Sequence, residues 1–137
     1  MKCFKHLLLL PFVLLTTSCA PTSLSEYRAE GEGQIKKLLE ELTHIDSISQ
    51  LESKEVRLKK RFSAIADLMI AAKKFQMKHP DEAEDVTTWQ IEVSEALKQE
   101  LTRLYEIQGC AEKIEEIQRD SLHKLDLFKR RHLKREI

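Results

Sequence analysis

Met77-Lys78-His79-Pro80-Asp81 is the stretch whose reading decides the fold. Pro80 lacks an N–H and disfavours helical backbone at His79, so a helix is predicted to end at Lys78. The same proline suits the first position of a second helix, with Asp81, Glu82, Glu84 and Asp85 favourably placed at its positive end. Lys73, Lys74 and Lys78 sit at the negative end of the helix before it. Between residue 34 and the C-terminus there is no other strong helix stop, so His79, Pro80 and Asp81 mark a turn at 78–81 between two helical arms. If the chain doubles back here, residues equidistant from the 79–80 bond face each other. Phe62 then meets Leu97, Leu58 meets Leu101, Ile45 meets Ile114, Leu42 meets Ile117, Leu38 meets Leu122 and Ile35 meets Leu125.

Both arms carry an apolar stripe of helical period. The first runs Ile35, Leu38, Leu42, Ile45, then Leu51, Leu58, Phe62, Ile65, Met69 and Ala72. The second runs Val86, Trp89, Val93, Leu97, Leu101, Leu104, Ile107, Ala111, Ile114, Ile117, Leu122, Leu125 and Phe128. The first stripe slips between Ile45 and Leu51, where Ser49 and Glu52 fit a capping box that would restart a helix. The second is weakest at Gly109, which lies level with that slip. The expected fold is therefore all-α over residues 34–137. Its simplest form is one long antiparallel helical hairpin or coiled coil, about 70 Å in length. Alternatively both arms fold over at the weak level into a compact four-helix bundle. A two-helix seam is a thin core, so dimerisation into a helix bundle is also expected to bury more apolar surface.

The chain has 137 residues, 34% of them charged, with only 3 glycines and 3 prolines, which favours long solvated helices over a mixed fold. The 23 basic and 23 acidic residues balance, which argues against a general polyanion binder. Residues 1–18 read as an export signal: Lys2 and Lys5 precede the apolar run Leu7–Leu15, and Thr16, Thr17 and Ser18 follow it. That run is too short for a bilayer, which needs about 20 residues. Removing the signal leaves roughly 118 residues, one modest domain.

Leu15-Thr16-Thr17-Ser18-Cys19 resembles the lipobox of bacterial lipoproteins, with Thr16 where that family usually has Leu. The resemblance implies that Cys19 is acylated and becomes the first residue of the mature protein. Ala20, in place of the Asp that retains lipoproteins in the inner membrane, makes the periplasmic face of the outer membrane the expected location. Ser18-Cys19-Ala20 also fits ordinary signal cleavage, which would give a soluble periplasmic protein. Residues 19–33, with Pro21, Gly31 and Gly33, are expected to form a flexible tether of about 20 Å.

His79-Pro80-Asp81 also resembles the signature of the J-domain co-chaperones, where it links two helices and stimulates a partner ATPase. Here no aromatic-rich helix precedes it, and an Asp in the first turn of a Pro-started helix explains the same residues. Cys110, beside the Ala111 stripe, is expected to be a buried small residue, the alternative being an intermolecular disulfide. His44, His79, His123 and His132 lack a second ligand at helical spacing, so no metal site is expected. No phosphate loop, nucleophile elbow or cofactor motif occurs, and the many carboxylates suit a solvated face, so no enzyme is expected. Lys129, Arg130 and Arg131 with Lys134 and Arg135 have the composition of a nucleic-acid patch, which export makes inapplicable. Contact with an anionic membrane surface is the functional expectation there, against a solvated helix end. The chain thus reads as a lipid-anchored envelope protein, structural or adaptor in role, that self-associates or binds another envelope protein. A soluble periplasmic holdase is the alternative, and a J-like co-chaperone a minor one. A chain ending in Ile137 lacks the terminal Lys by which the small murein lipoprotein is linked.

Overall fold

The computed structural model describes residues 20–82 and 88–133, the side chains of 88–91 and 133 excepted. Among the described residues the chain is all-α. The helices are α1 (Leu24–Thr43), α2 (Ile48–Ser53), α3 (Glu55–Lys78), α4 (Thr88–Tyr105) and α5 (Cys110–Leu133), with a 3₁₀ turn at Pro80–Glu82. α1 packs against α3 and α4, and α5 packs against α3, α4 and α2. The result is a four-helix bundle, with the short α2 closing one end.

Of the two forms expected for the arms, extended or folded over, the chain adopts the folded one. The first arm doubles back at residues 44–54, which we term the elbow, and the second at 106–109. Tyr27 packs on Phe75 and Arg61 reaches both Gln34 and Glu41, so α1 and α3 are antiparallel. Lys113 binds Glu55 and Lys124 binds Asp67, so α3 and α5 run in the same direction. Arg103, near the end of α4, reaches the end of α1, so these two are also parallel. Folding over gives each helix two neighbours in place of one and closes a core that a two-helix seam leaves half open.

The elbow is built by local hydrogen bonds. Ser47 is extended and caps α2, its hydroxyl accepting from the Gln50 N–H at 3.4 Å. The Gln50 side chain reaches back past the cap and accepts from the Asp46 N–H at 2.6 Å, which ties the residue before the cap to the helix. The cap therefore stands two residues before the expected Ser49, because Ser47 has the extended backbone that a cap requires. Leu51 is thereby turned into the core and fully buried. At the second fold, Gly109 has φ +81°, left-handed backbone that any other L-residue adopts at a cost.

Two further expectations are corrected. The tether does not persist to residue 33, since α1 starts at Leu24. Ser23 caps it by accepting from the Glu26 N–H, while the Glu26 carboxylate accepts from the Thr22 N–H and hydroxyl. Gly31, costly in a free helix, faces Leu68 of α3, where a Cβ would stand 3.5 Å from its side chain. Packing thus outweighs the glycine penalty. The pairings across the 79–80 turn also fail: they would set α3 against α4 and the α1 arm against α5, whereas α3 and α4 each pack on α1 and α5, and Leu122 is 54% exposed where Leu38 is fully buried. Ser121 takes the inward position one residue earlier, between the two ion-pair ties that join α5 to α3. Ala66 of α3 is likewise small and buried.

The fully buried large side chains are Leu38, Leu42, Ile45, Leu51, Leu58, Leu104, Ile114 and Ile117, with Cys110 among them. They cluster towards the elbow. Phe62, Ile65, Leu97, Leu101 and Ile107 are packed against that cluster and partly buried.

Candidate functional site at the end carrying the N-terminus

The directions of the helices decide which groups share an end. α1 begins where α3 finishes, because Tyr27 lies 5.6 Å from Phe75, ring centre to ring centre. α5 finishes there too, because the Lys74 ammonium stands 5.9 Å from the Phe128 ring centre. The start of α1, the His79–Asp81 turn and the Lys129–Arg131 run therefore share one end of the bundle, while Ala20 lines the α1–α3 seam with Ala64, Asp67 and Leu68. α3 adds Lys73 and Lys78 to that end. This grouping of two basic helix ends was hidden from the sequence, since it needs α3 and α5 to be parallel neighbours.

His79 ends α3, its N–H bonded to the Phe75 carbonyl at 3.0 Å and its ring stacked on Phe75 at 4.4 Å. It continues the row Tyr27–Phe75–His79. The His79 carbonyl accepts from the Glu82 N–H, and this bond closes the 3₁₀ turn that Pro80 begins. His79, Pro80 and Asp81 are all exposed. In α5, Phe128 contacts the ring of His132 at 4.3 Å. Lys129, Arg130 and Arg131 are exposed in the last turns, where cations also suit the negative end of the helix. Cys19, Lys134 and Arg135 lie outside the described residues.

This end is thinly packed. Met69 and Met77 are 55% and 49% exposed although Met69 continues the core stripe of α3. Beside Ala20 and Pro21, the seam between α1 and α3 opens into a shallow concavity of about 390 Å³. Tyr27, Ala64, Leu68 and Ala71 supply its apolar lining. Cys110 is at the opposite end, fully buried and free, and burial pushes its thiol pKa up. A buried thiol of that kind is neither nucleophilic nor positioned to bridge two chains. Among the described residues no three His, Cys, Asp or Glu side chains are grouped to hold a metal ion. Nor is any described helix long and apolar enough to cross a membrane.

Comparison with protein-family models, curated proteins and solved structures gives no match, so the functional reading rests on this geometry and the sequence.

Proposed function

We propose that the protein is a lipid-anchored envelope component of the outer membrane, held through Cys19 and presenting the bundle as a structural or adaptor element. The observation that carries this reading is the meeting of the start of α1, four residues after Ala20, with the basic ends of α3 and α5 at one end of the molecule. A chain anchored at residue 19 then stands end-on, with Lys73, Lys78, Lys129, Arg130 and Arg131 towards the lipid. Only three residues separate Ala20 from the helix, so the anchor is short and the bundle is held close to the surface. Cations near an anionic leaflet gain up to about 1 kcal/mol each, but Asp81, Glu82 and Asp126 lie nearby. The basic end therefore orients the molecule, and the acyl group retains it. The partner is a second copy or another envelope protein, met through the exposed helix faces.

Vesicle flotation tests the proposal. The native protein is expected to float with neutral and anionic vesicles alike. Cys19→Ala should float weakly, with anionic vesicles only and at low salt. Adding Lys129, Arg130 and Arg131→Gln should abolish the remainder. Unchanged flotation of Cys19→Ala would overturn the anchor, and indifference to the basic triple substitution would overturn the orientation.

A soluble periplasmic holdase is the second reading, favoured by the exposed Met69, Met77, Leu122 and Leu127. Failure of the Cys19→Ala arm would bring it forward.

A further inference from the structure

At the elbow, α1 and the start of α3 form an open concavity of about 320 Å³. Its walls are Lys37, Glu40, Glu41, His44, Lys54, Arg57 and Arg61. Four cations meet two carboxylates there, and one carboxylate is already committed, since Glu41 accepts from Arg61 at 2.7 Å. Lys54 is partly used, donating to the Glu41 carbonyl at 3.3 Å. Lys37 and Arg57 have no hydrogen bond or ion pair to the described residues, and both side chains are exposed. Arg61 spends its two terminal nitrogens on Gln34 and Glu41 but keeps Nε out of solvent with no partner. Nδ1 of His44 donates to the Glu40 carbonyl at 2.6 Å, which fixes the ring and leaves Nε2 unengaged.

We propose that this elbow is a binding site for a phosphomonoester or free phosphate group. Charge is the first argument: the walls hold a formal excess of two positive charges, and a phosphomonoester carries close to two negative charges at neutral pH. Donor geometry is the second. Arg57 and Arg61 stand one turn apart on α3, and Lys37 approaches from α1, so donors come from two sides. That suits a tetrahedral group with several oxygens better than a planar carboxylate. Assembly is the third. The two walls are fixed by the fully buried Leu38, Leu42 and Leu58, so the backbone positions that carry the cations are set before any ligand arrives. The inference does not use the anchor, and its failure would leave the envelope reading intact.

The experiment is a calorimetric titration of the detergent-solubilised full chain with inorganic phosphate and, separately, glycerol phosphate. Saturable binding that weakens as salt rises is expected. The double substitution Lys37→Gln with Arg57→Gln should weaken it at least about tenfold, since two charge-assisted hydrogen bonds are lost. Lys60→Gln removes an exposed cation of α3 outside the concavity and should leave it unchanged. Tighter binding of glycerol phosphate than of phosphate would assign an esterified ligand, and equal binding the free anion. No saturable heat with either probe, or equal losses in Lys60→Gln and the double variant, would overturn the site. Unchanged circular dichroism separates loss of binding from loss of fold.

Discussion

Leu42, Ile45, Leu51, Leu58, Leu104 and Ile114 are shut off from solvent at the elbow end, whereas Met69 and Met77 remain about half exposed at the other. The same four long helices make both ends, so helix propensity cannot explain the difference. Closure does. At the elbow two folds and α2 supply turn residues that point inward, and side chains reach across to finish neighbouring helices. α1 has no basic residue in its own last turn. Arg103 of α4 stands in, donating to the Leu42 and Ile45 carbonyls at 3.0 Å each while Glu100 holds its Nε at 2.6 Å. At the opposite end α1 starts from the Ser23 cap and α3 runs out into the His79–Glu82 turn, and Met69, Met77, Lys73 and Lys78 are left exposed. Stability is thus concentrated at one end and the available surface at the other.

The largest expected effect separates the two ends directly. Leu104→Ala empties a fully buried position and should cost about 2–5 kcal/mol in urea unfolding. Met69→Ala, at a half-exposed position of the same helical pattern, should cost under about 1 kcal/mol. Equal costs would mean that the open end is as well packed as the elbow. Next in size is Arg103→Ala, which leaves two carbonyls of the α1 terminus without their cation. The side chain is 37% exposed, so solvent replaces part of the loss and about 1–2 kcal/mol is expected. Hydrogen exchange should quicken in the last turn of α1 and not in its first; uniform quickening would contradict a local latch.

The sequence carries some of this contrast and omits the rest for identifiable reasons. The end of α3 at Lys78 is written in Pro80, and the two weak levels are written in the slip after Ile45 and in Gly109. Whether those levels bend the arms or merely interrupt them depends on the area buried by four helices against two, a tertiary quantity. Ser121 shows the same limit. A stripe read by hydrophobicity chooses Leu122, but the inward position depends on where α5 meets α3. Residues 24–33 look like a linker because their glycines are visible and the Leu68 side chain opposite Gly31 is not. The phosphate-class site combines Lys37 with Arg57, twenty residues apart, across a fold that charge pattern alone does not reveal. His79 and the Lys129–Arg131 run stand out in sequence, yet their shared end with the start of α1 emerges only from the parallel course of α3 and α5.

The smallest effect compares two carboxylates that both titrate below the ordinary range. Glu55, in the first turn of α3, accepts from Lys113 at 2.7 Å and from Lys59 at 2.6 Å, and these hydrogen bonds lower its pKa from 4.5 to about 2. Glu26, at the open end, is lowered by hydrogen bonds from the Thr22 N–H and hydroxyl. For a carboxylate depressed on folding, the native state holds the proton less tightly than the unfolded chain. Its contribution is complete above the unfolded pKa and is lost as pH falls through the folded one. For Glu55 that window runs from pH 4.5 down to about 2. Lys113 is raised by the same contact and stays charged throughout this window, so it adds no slope there. Glu55 joins α3 to α5, whereas Glu26 only caps α1. Glu55→Gln should therefore flatten the acid limb of a urea-stability profile more than Glu26→Gln. An equal or larger flattening by Glu26→Gln would place the acid sensitivity at the open end and undo the division between the two.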